Sequence, residues 1–481
     1  MENIISTGIP GLDEILNGGL LKKRAYLLRG GPGVGKTTFG FHFLLQGIKE
    51  GEPVLFITLG EPKEQLIANA SMLGLDLEKV NFLDLSPSPD FFAQIESYDI
   101  FSPADVEREP VTQNIIDAVE KIKPKRVFID SMTQFRYLAP DTYQFRKQVL
   151  SFIRYLTQND ATVLFTSEAS GEAPDDDLMF LSDGIINLIS KENTRYVCVS
   201  KLRGGNFLSG LHSYVIKHGG VTVYPRLIPE DYGIEFKHEI LSSGIPEIDQ
   251  MLHGGLERGT TTIISGPSGV GKSTFSMVFL KEAAGRGENS VIYSFEETEE
   301  KILSRCESVN IPARAMVKNG RLKIRHIEPL TILPEEFANV VRQDVVGYGA
   351  KVVSIDSTSG FEVSIGGENP REHLHAICRY LTHMGVMVLL PTEIKEITGT
   401  FKITDHHISY LADNIIYLRY LEIKGQLKRA VGVLKKRLSD FEKTLREYEI
   451  TKYGIKVGEP LTNLRNILSG TPVFITQERD S

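Results

Sequence analysis

The chain reads as short apolar runs separated by longer stretches with helical spacing. In the first half the runs are Ala25–Leu28, Pro53–Thr58, Arg126–Ile129, Ala161–Thr166 and Gly184–Ile189. In the second they are Thr261–Ile264, Ser290–Phe295, Val352–Ile355, Val386–Leu390 and Asn414–Leu418. Continuous apolar runs of this length suit strands buried on both faces, and their alternation with helices predicts α/β architecture, a doubly wound, mostly parallel sheet in each half. Sheets of this kind bind ligands beyond the carboxyl ends of their strands.

The first run of each half leads into a glycine-rich loop, Gly30–Thr38 (GGPGVGKTT) and Gly266–Thr274 (GPSGVGKST). Both fit G-x-x-x-x-G-K-[ST], the phosphate-binding loop. A triphosphate needs a ring of backbone N–H donors, and glycine lets the backbone curl closely enough to supply them. Gly33, Val34 and Gly35, and Gly269, Val270 and Gly271, are therefore expected to cradle phosphates. Lys36 and Lys272 should reach the outer phosphates, with Thr37 and Ser273 as ligands of Mg²⁺ and Thr38 and Thr274 completing each loop. ATP and Mg²⁺ are the expected cofactors.

The two loops belong to a longer repeat. Ser6–Leu44 aligns with Ser242–Leu280 without a gap, 236 positions on, and SxGIPxxDxxLxGGL occurs in both copies. The pattern predicts a tandem duplication, residues 1–230 and 231–481, joined near the Pro-containing polar stretch Pro225–Lys237. Length agrees, since 481 residues suggest two or three domains. A net charge of −8 argues against a protein whose main work is coating nucleic acid. The three cysteines, Cys198, Cys306 and Cys378, form no metal or redox pattern. Together with an N-terminus lacking a signal-peptide core and no run of membrane-spanning length, they predict a cytoplasmic protein without a membrane role.

Three further signals recur at the ends of runs. Asp130 and Asp356 close apolar strands, where an acid can hold Mg²⁺ through water or simply cap the next turn. Glu296 and Glu297 close another. A carboxylate there can face the γ-phosphate and its metal and take a proton, or the pair can be solvated acids opening a helix. The first half reads Leu59-Gly60-Glu61, so Glu61 would act alone and hydrolysis there should be weaker. Lys201-Leu202-Arg203 and Lys435-Lys436-Arg437 put two cations on one side of a strand end. They can form a solvated patch or, in a ring of subunits, act on a neighbour's phosphates.

Taken together, SxGIPxxDxxLxGGL, the phosphate loop, Phe295-Glu296-Glu297, the K-x-R strand ends, ITDHHIS at 403–409, YLEIKGQLK at 420–428 and ILSGTPVFI at 467–475 resemble the KaiC family. These are two-domain RecA-like ATPases and autokinases of bacterial clocks. The resemblance implies a homohexamer of two stacked rings with ATP between adjacent subunits. It implies slow hydrolysis and binding of the small partner KaiB in the first ring, and serine autophosphorylation with its reversal in the second. Glu296 and Glu297 resemble the kinase carboxylates, Arg429, Lys435 and Arg437 the contacts across the interface, and Ser409 the first phosphoacceptor. The repeat agrees, because Thr404–Tyr410 falls on Pro174–Phe180, which has no hydroxyl. Three departures stand out. Tyr410 replaces the second acceptor and is expected to carry little or no phosphate. Gly60 replaces a glutamate. The chain ends at Ser481, before most of the tail on which KaiA docks, so a KaiB-linked or stress-related regulator without KaiA is expected. The competing class is a RecA-like DNA-dependent ATPase of the recombinase or helicase type, which needs basic loops facing a channel; Asp175–Asp177 and the charge of −8 oppose it.

Overall fold

The protein's structure, a computed structural model, describes residues 3–87, 103–136, 139, 141–168, 175–191, 194–365, 369–394, 408–465, 467 and 473–474. The chain separates into two compact units, Met1–Arg226 and Leu227–Ser481. Among the described residues each unit is built on one nine-stranded sheet.

In the first unit six parallel strands run in the order Gly184–Lys191, Ala25–Gly30, Thr162–Glu168, Arg126–Asp130, Val54–Thr58, Asn81–Asp84. Three antiparallel strands, Thr194–Leu202, His212–Lys217 and Gly220–Tyr224, extend the sheet beyond Gly184–Lys191. The second unit repeats the order. Asn414–Ile423, Thr261–Gly266, Met387–Glu393, Ala350–Asp356, Asn289–Ser294 and Leu322–His326 are parallel, and Gln426–Lys436, Arg446–Thr451 and Gly454–Pro460 are antiparallel.

All ten apolar runs are strands, and their period of two explains why they are apolar throughout. Tyr26 and Leu28 join one core with Phe39, Phe41 and Phe43 of the helix Lys36–Lys49. Ala25 and Leu27 join another with Phe145, Val149 and Ile153 of the helix Thr142–Gln158. Ile264 and Ile263 divide in the same way, toward the helices Lys272–Gly285 and Pro370–His383. Burying each such side chain contributes about 1.5–3 kcal/mol, so the sheet is covered on both faces and only the strand ends remain for chemistry.

Four strands of each nine-stranded sheet lie outside the apolar runs. Asn81–Asp84 is a short edge with exposed or half-buried residues, and Leu322–His326 buries little beyond Leu322. The antiparallel strands carry polar residues between the buried ones, as in Thr194–Leu202, where Val197 and Val199 are buried and Arg195 and Ser200 are not.

Candidate functional site

Each glycine loop turns between the carboxyl end of its strand and the first turn of the next helix. Gly35 and Gly271, at φ 93° and 110°, stand as the N-caps. This is left-handed backbone that favours glycine, and a Cβ on either would press within 2.4 Å of Ile216 or 2.3 Å of Ile450. A tyrosine from the antiparallel strands fixes the back of each loop. The Tyr214 hydroxyl donates to the Val34 carbonyl at 2.6 Å, and the Tyr448 hydroxyl donates to that of Val270 at 2.6 Å. Neither tyrosine is visible to a motif search, although both recur in corresponding strands. The backbone N–H groups at the start of each helix are left to face an anion.

The lysines fold back onto their loops. Lys36 Nζ donates to the carbonyls of Gly30 and Gly31 at 2.7 and 2.9 Å, and Lys272 Nζ to that of Pro267 at 2.9 Å. Burial lowers both ammonium pKa values, opposed by Asp130 and Glu168 in the first unit and by Glu393, Asp356 and Glu296 in the second. Glu168 and Glu393 were missed in the sequence. They end the strand paired to the loop strand, with Gly30 opposite Glu168 and Gly266 opposite Glu393. The only signal is a hydroxyl followed by glutamate closing both copies, Ser167-Glu168 and Thr392-Glu393.

The strand-end acids meet the loop hydroxyls. Thr37 Oγ1 donates to Asp130 Oδ2 at 2.6 Å, and Thr166 Oγ1 donates to the other oxygen at 2.6 Å. In the second unit Ser273 hydrogen-bonds to Asp356, whose carboxyl burial pushes up. A hydroxyl and a carboxylate brought together in this way are hard oxygen donors that suit Mg²⁺. Neither aspartate simply caps the next turn.

Around this shared frame the units differ. Ser357 Oγ donates to Glu296 Oε1 at 2.6 Å, and Arg305 Nη2 donates to Glu297 Oε2 at 2.7 Å. In the first unit, the cleft of about 460 Å³ at the loop is lined by Gly60, Glu61, Asn69, Ser131 and Glu168, among others. There the buried Ser131 hydroxyl has no hydrogen-bond partner among the described residues. The exposed Glu61 carboxylate accepts a long hydrogen bond from the Asn69 amide, at 3.4 Å. Arg305 gave no motif signal, whereas Ser357 follows the strand-end acid as Ser131 does in the first copy, a recurrence that carried no assigned role.

The basic strand ends are engaged within their own units and do not line that first-unit cleft. Lys201 Nζ donates to the Met179 carbonyl at 2.8 Å, and Arg203 lies 3.9 Å from Asp183. Lys435 Nζ donates to the Ala412 carbonyl at 2.5 Å, and Arg437 pairs with Asp413 at 3.1 Å. Lys436 overturns the expectation of a nucleotide contact. Alternation turns its side chain into the protein, where its fully buried Nζ binds the Leu252 carbonyl at 2.6 Å and Glu257 at 3.0 Å. Leu202 likewise packs against the core. Arg429 lies 5.8 Å from the Tyr420 ring, whose hydroxyl sits beside Gly269 of the same unit's loop.

Asp175 corrects the argument against a channel. It is buried, accepting from Arg29 Nε at 2.7 Å and from the Ser167 hydroxyl, so it is not a channel-facing charge. Residues 403–407 of the expected acceptor segment lie outside the described residues. Ser409 falls in the 3₁₀ turn Ile408–Leu411. Tyr410 is exposed, its ring edge-on to His375 at 5.6 Å. No helix among the described residues is long and apolar enough to cross a membrane.

The family model described as "ATPase: KaiC" matches residues 5–228 and again 241–462. The chain is 30% identical over 493 residues to the circadian clock oscillator protein KaiC of Prochlorococcus marinus, covering 98% of this chain and 96% of the relative. It is 28% identical to the protein of that name from Synechococcus elongatus, over 99% and 93% of the two chains. It is also 28% identical to the circadian clock protein KaiC3 of Synechocystis, over 98% and 95%. Two RecA-like sheets, each with a phosphate loop at its carboxyl edge, and two matches to one ATPase model place this chain in the KaiC family as a tandem ATP-binding ATPase.

Proposed function

We propose that both units bind ATP with Mg²⁺ in a homohexamer, and that the second unit is a serine autokinase as well as an ATPase. The observation that supports this best is the meeting of loop hydroxyl and strand-end acid in both units, joined in the second by two carboxylates. Thr37 with Asp130, and Ser273 with Asp356 and Glu296, would hold the metal, which neutralises phosphate charge when bound. The loop N–H groups and Lys36 or Lys272 orient the triphosphate. In the transfer, water or the Ser409 hydroxyl bonds to the γ-phosphorus while its bond to the bridging oxygen breaks. ADP leaves with that electron pair, and a carboxylate at 296–297 takes the nucleophile's proton.

Lys435 and Arg437, and Lys201 and Arg203, would exchange their contacts for phosphates of an adjacent protomer, while KaiB is the partner proposed for the first ring. The biological role is circadian or stress-related regulation, with the phosphate removed again by the same unit. Tyr410 is a poor acceptor because its oxygen lies beyond a whole ring, and misplacement by about 1 Å can cost on the order of 10²-fold. Site-localising mass spectrometry after incubation with Mg-ATP tests the reading. Phosphate is expected on Ser409. Phosphate chiefly on Tyr410, or undiminished labelling of Ser409→Ala, would overturn it.

A further inference from the structure

Two charged differences separate the sites of the two units, and they occur together. Where the second unit has Glu296 the first has Gly60, and where it has Arg305 the first has Asn69. Each pair is 236 positions apart, the spacing that superposes the loops. The second site therefore gains a carboxylate and a cation at once, leaving its balance of charge unchanged.

The arginine does more than balance. Its guanidinium sits on the helix Glu299–Ser308, with Nη2 2.7 Å from Glu297 Oε2 and Nη1 3.4 Å from Thr274 Oγ1 in the first turn of the loop helix. One planar fork thus links the second carboxylate to the loop, a geometry an amide or ammonium cannot reproduce. Glu296 is held differently, by the Ser357 hydroxyl immediately after the strand-end acid. Its charge, unlike that of Glu297, is among those that act on the Lys272 ammonium. The two adjacent glutamates are thus turned to different partners.

We propose that Arg305 is a positioning residue that clamps Glu297 against the loop helix, so that Glu296, aimed by Ser357, is the carboxylate presented to the attacking nucleophile. This rests on the reading that the second unit turns over ATP. The first unit lacks the device, but the place for it remains. Among the described residues the buried Ser131 hydroxyl has no hydrogen-bond partner, and a Cβ at Gly60 would meet nothing within 4 Å. The first unit can therefore take on the carboxylate and the arginine without rebuilding its core.

The test uses the full chain with Mg-ATP, reading steady-state ATPase and single-turnover labelling of Ser409 in parallel. Arg305→Asn is expected to lower kcat on the order of 10–100-fold while KM for ATP changes little, the signature of an interaction that matters in the transition state. Arg305→Lys should recover an intermediate rate, because an ammonium reaches one of the two partners. A rise in KM at constant kcat, or a wild-type rate, would overturn the proposal. A second arm starts from Lys272→Ala, in which only the first loop is intact. There Gly60→Glu with Asn69→Arg should turn over ATP severalfold faster than Gly60→Glu alone, and equal rates would again overturn it. If Lys272→Ala itself leaves Ser409 labelling intact, the proposed function fails, while the first-unit arm still decides whether the arginine positions a carboxylate.

Discussion

The two units have the same sheet order, the same loop and the same tyrosine behind it, yet they keep different company at the end of one strand. In the second unit both carboxylates just beyond Asn289–Ser294 have a charged or hydroxyl partner: Glu296 with Ser357, Glu297 with Arg305. In the first, Gly60 offers no carboxylate, Ser131 has no partner among the described residues, and Glu61 has a 3.4 Å contact to an amide. Duplication copied the binding frame faithfully, and divergence fell on the groups that would act on the bound phosphate. A site that only has to hold nucleotide needs the loop, the lysine and the acid–hydroxyl pair, and both units retain these.

The largest test of this contrast is to remove each lysine in turn. Lys272→Ala should abolish Ser409 labelling, by more than roughly 10²-fold, and leave an oligomer. Lys36→Ala leaves the second loop intact and should retain Ser409 labelling at saturating ATP, where the oligomer holds, but disperse the oligomer at low ATP, since a ligand shared between subunits stabilises assembly by mass action. Light scattering and γ-labelled ATP report the two outcomes, and identical behaviour of the variants would erase the distinction.

A middle-sized effect comes from the paired serines. Ser357 donates to Glu296 and accepts the Gly360 N–H as an N-cap, so Ser357→Ala should destabilise the second unit by about 2 kcal/mol. Ser131→Ala removes a hydroxyl with no hydrogen-bond partner among the described residues and should stay within about 0.5 kcal/mol. Hydrogen exchange in the strands of each unit would resolve the two. The smallest effect should be symmetrical: Tyr214→Phe and Tyr448→Phe each lose one buried bond to a loop carbonyl, about 1 kcal/mol. Unequal losses would mean that the shared frame is not equivalent.

How much of this was legible depended on whether a residue's role follows from its neighbours in sequence. Ten of the twelve parallel strands were, because a strand covered on both faces must be apolar at every position. The loops were, because φ 93° at Gly35 and φ 110° at Gly271 favour glycine and so leave a spelled pattern. Lys436 was misread because the K-x-R repeat suggested a cationic surface patch, whereas the middle residue of a strand triplet points to the opposite face, here onto Glu257. The roles of Arg305, Ser357, Glu168 and Tyr448 were hidden for a different reason. Each acts across 8 to 178 positions of chain, a separation no local pattern records.

One packing detail bears on how the two halves stay different. Gly40 lies flat against the Phe128 ring, and a Cβ there would come within 2.1 Å of it. The corresponding helix position in the second unit is Ser276, whose hydroxyl shares a hydrogen bond with Ser354 at 2.8 Å in the place of Phe128. Tandem copies of one coding sequence tend to be homogenised by gene conversion. A converted tract carrying only the helix would set a serine against a buried phenylalanine, or a glycine opposite an unpaired hydroxyl. Only a tract that includes both positions keeps glycine against phenylalanine and serine against serine, so this small steric match makes the two loop helices non-interchangeable between the units.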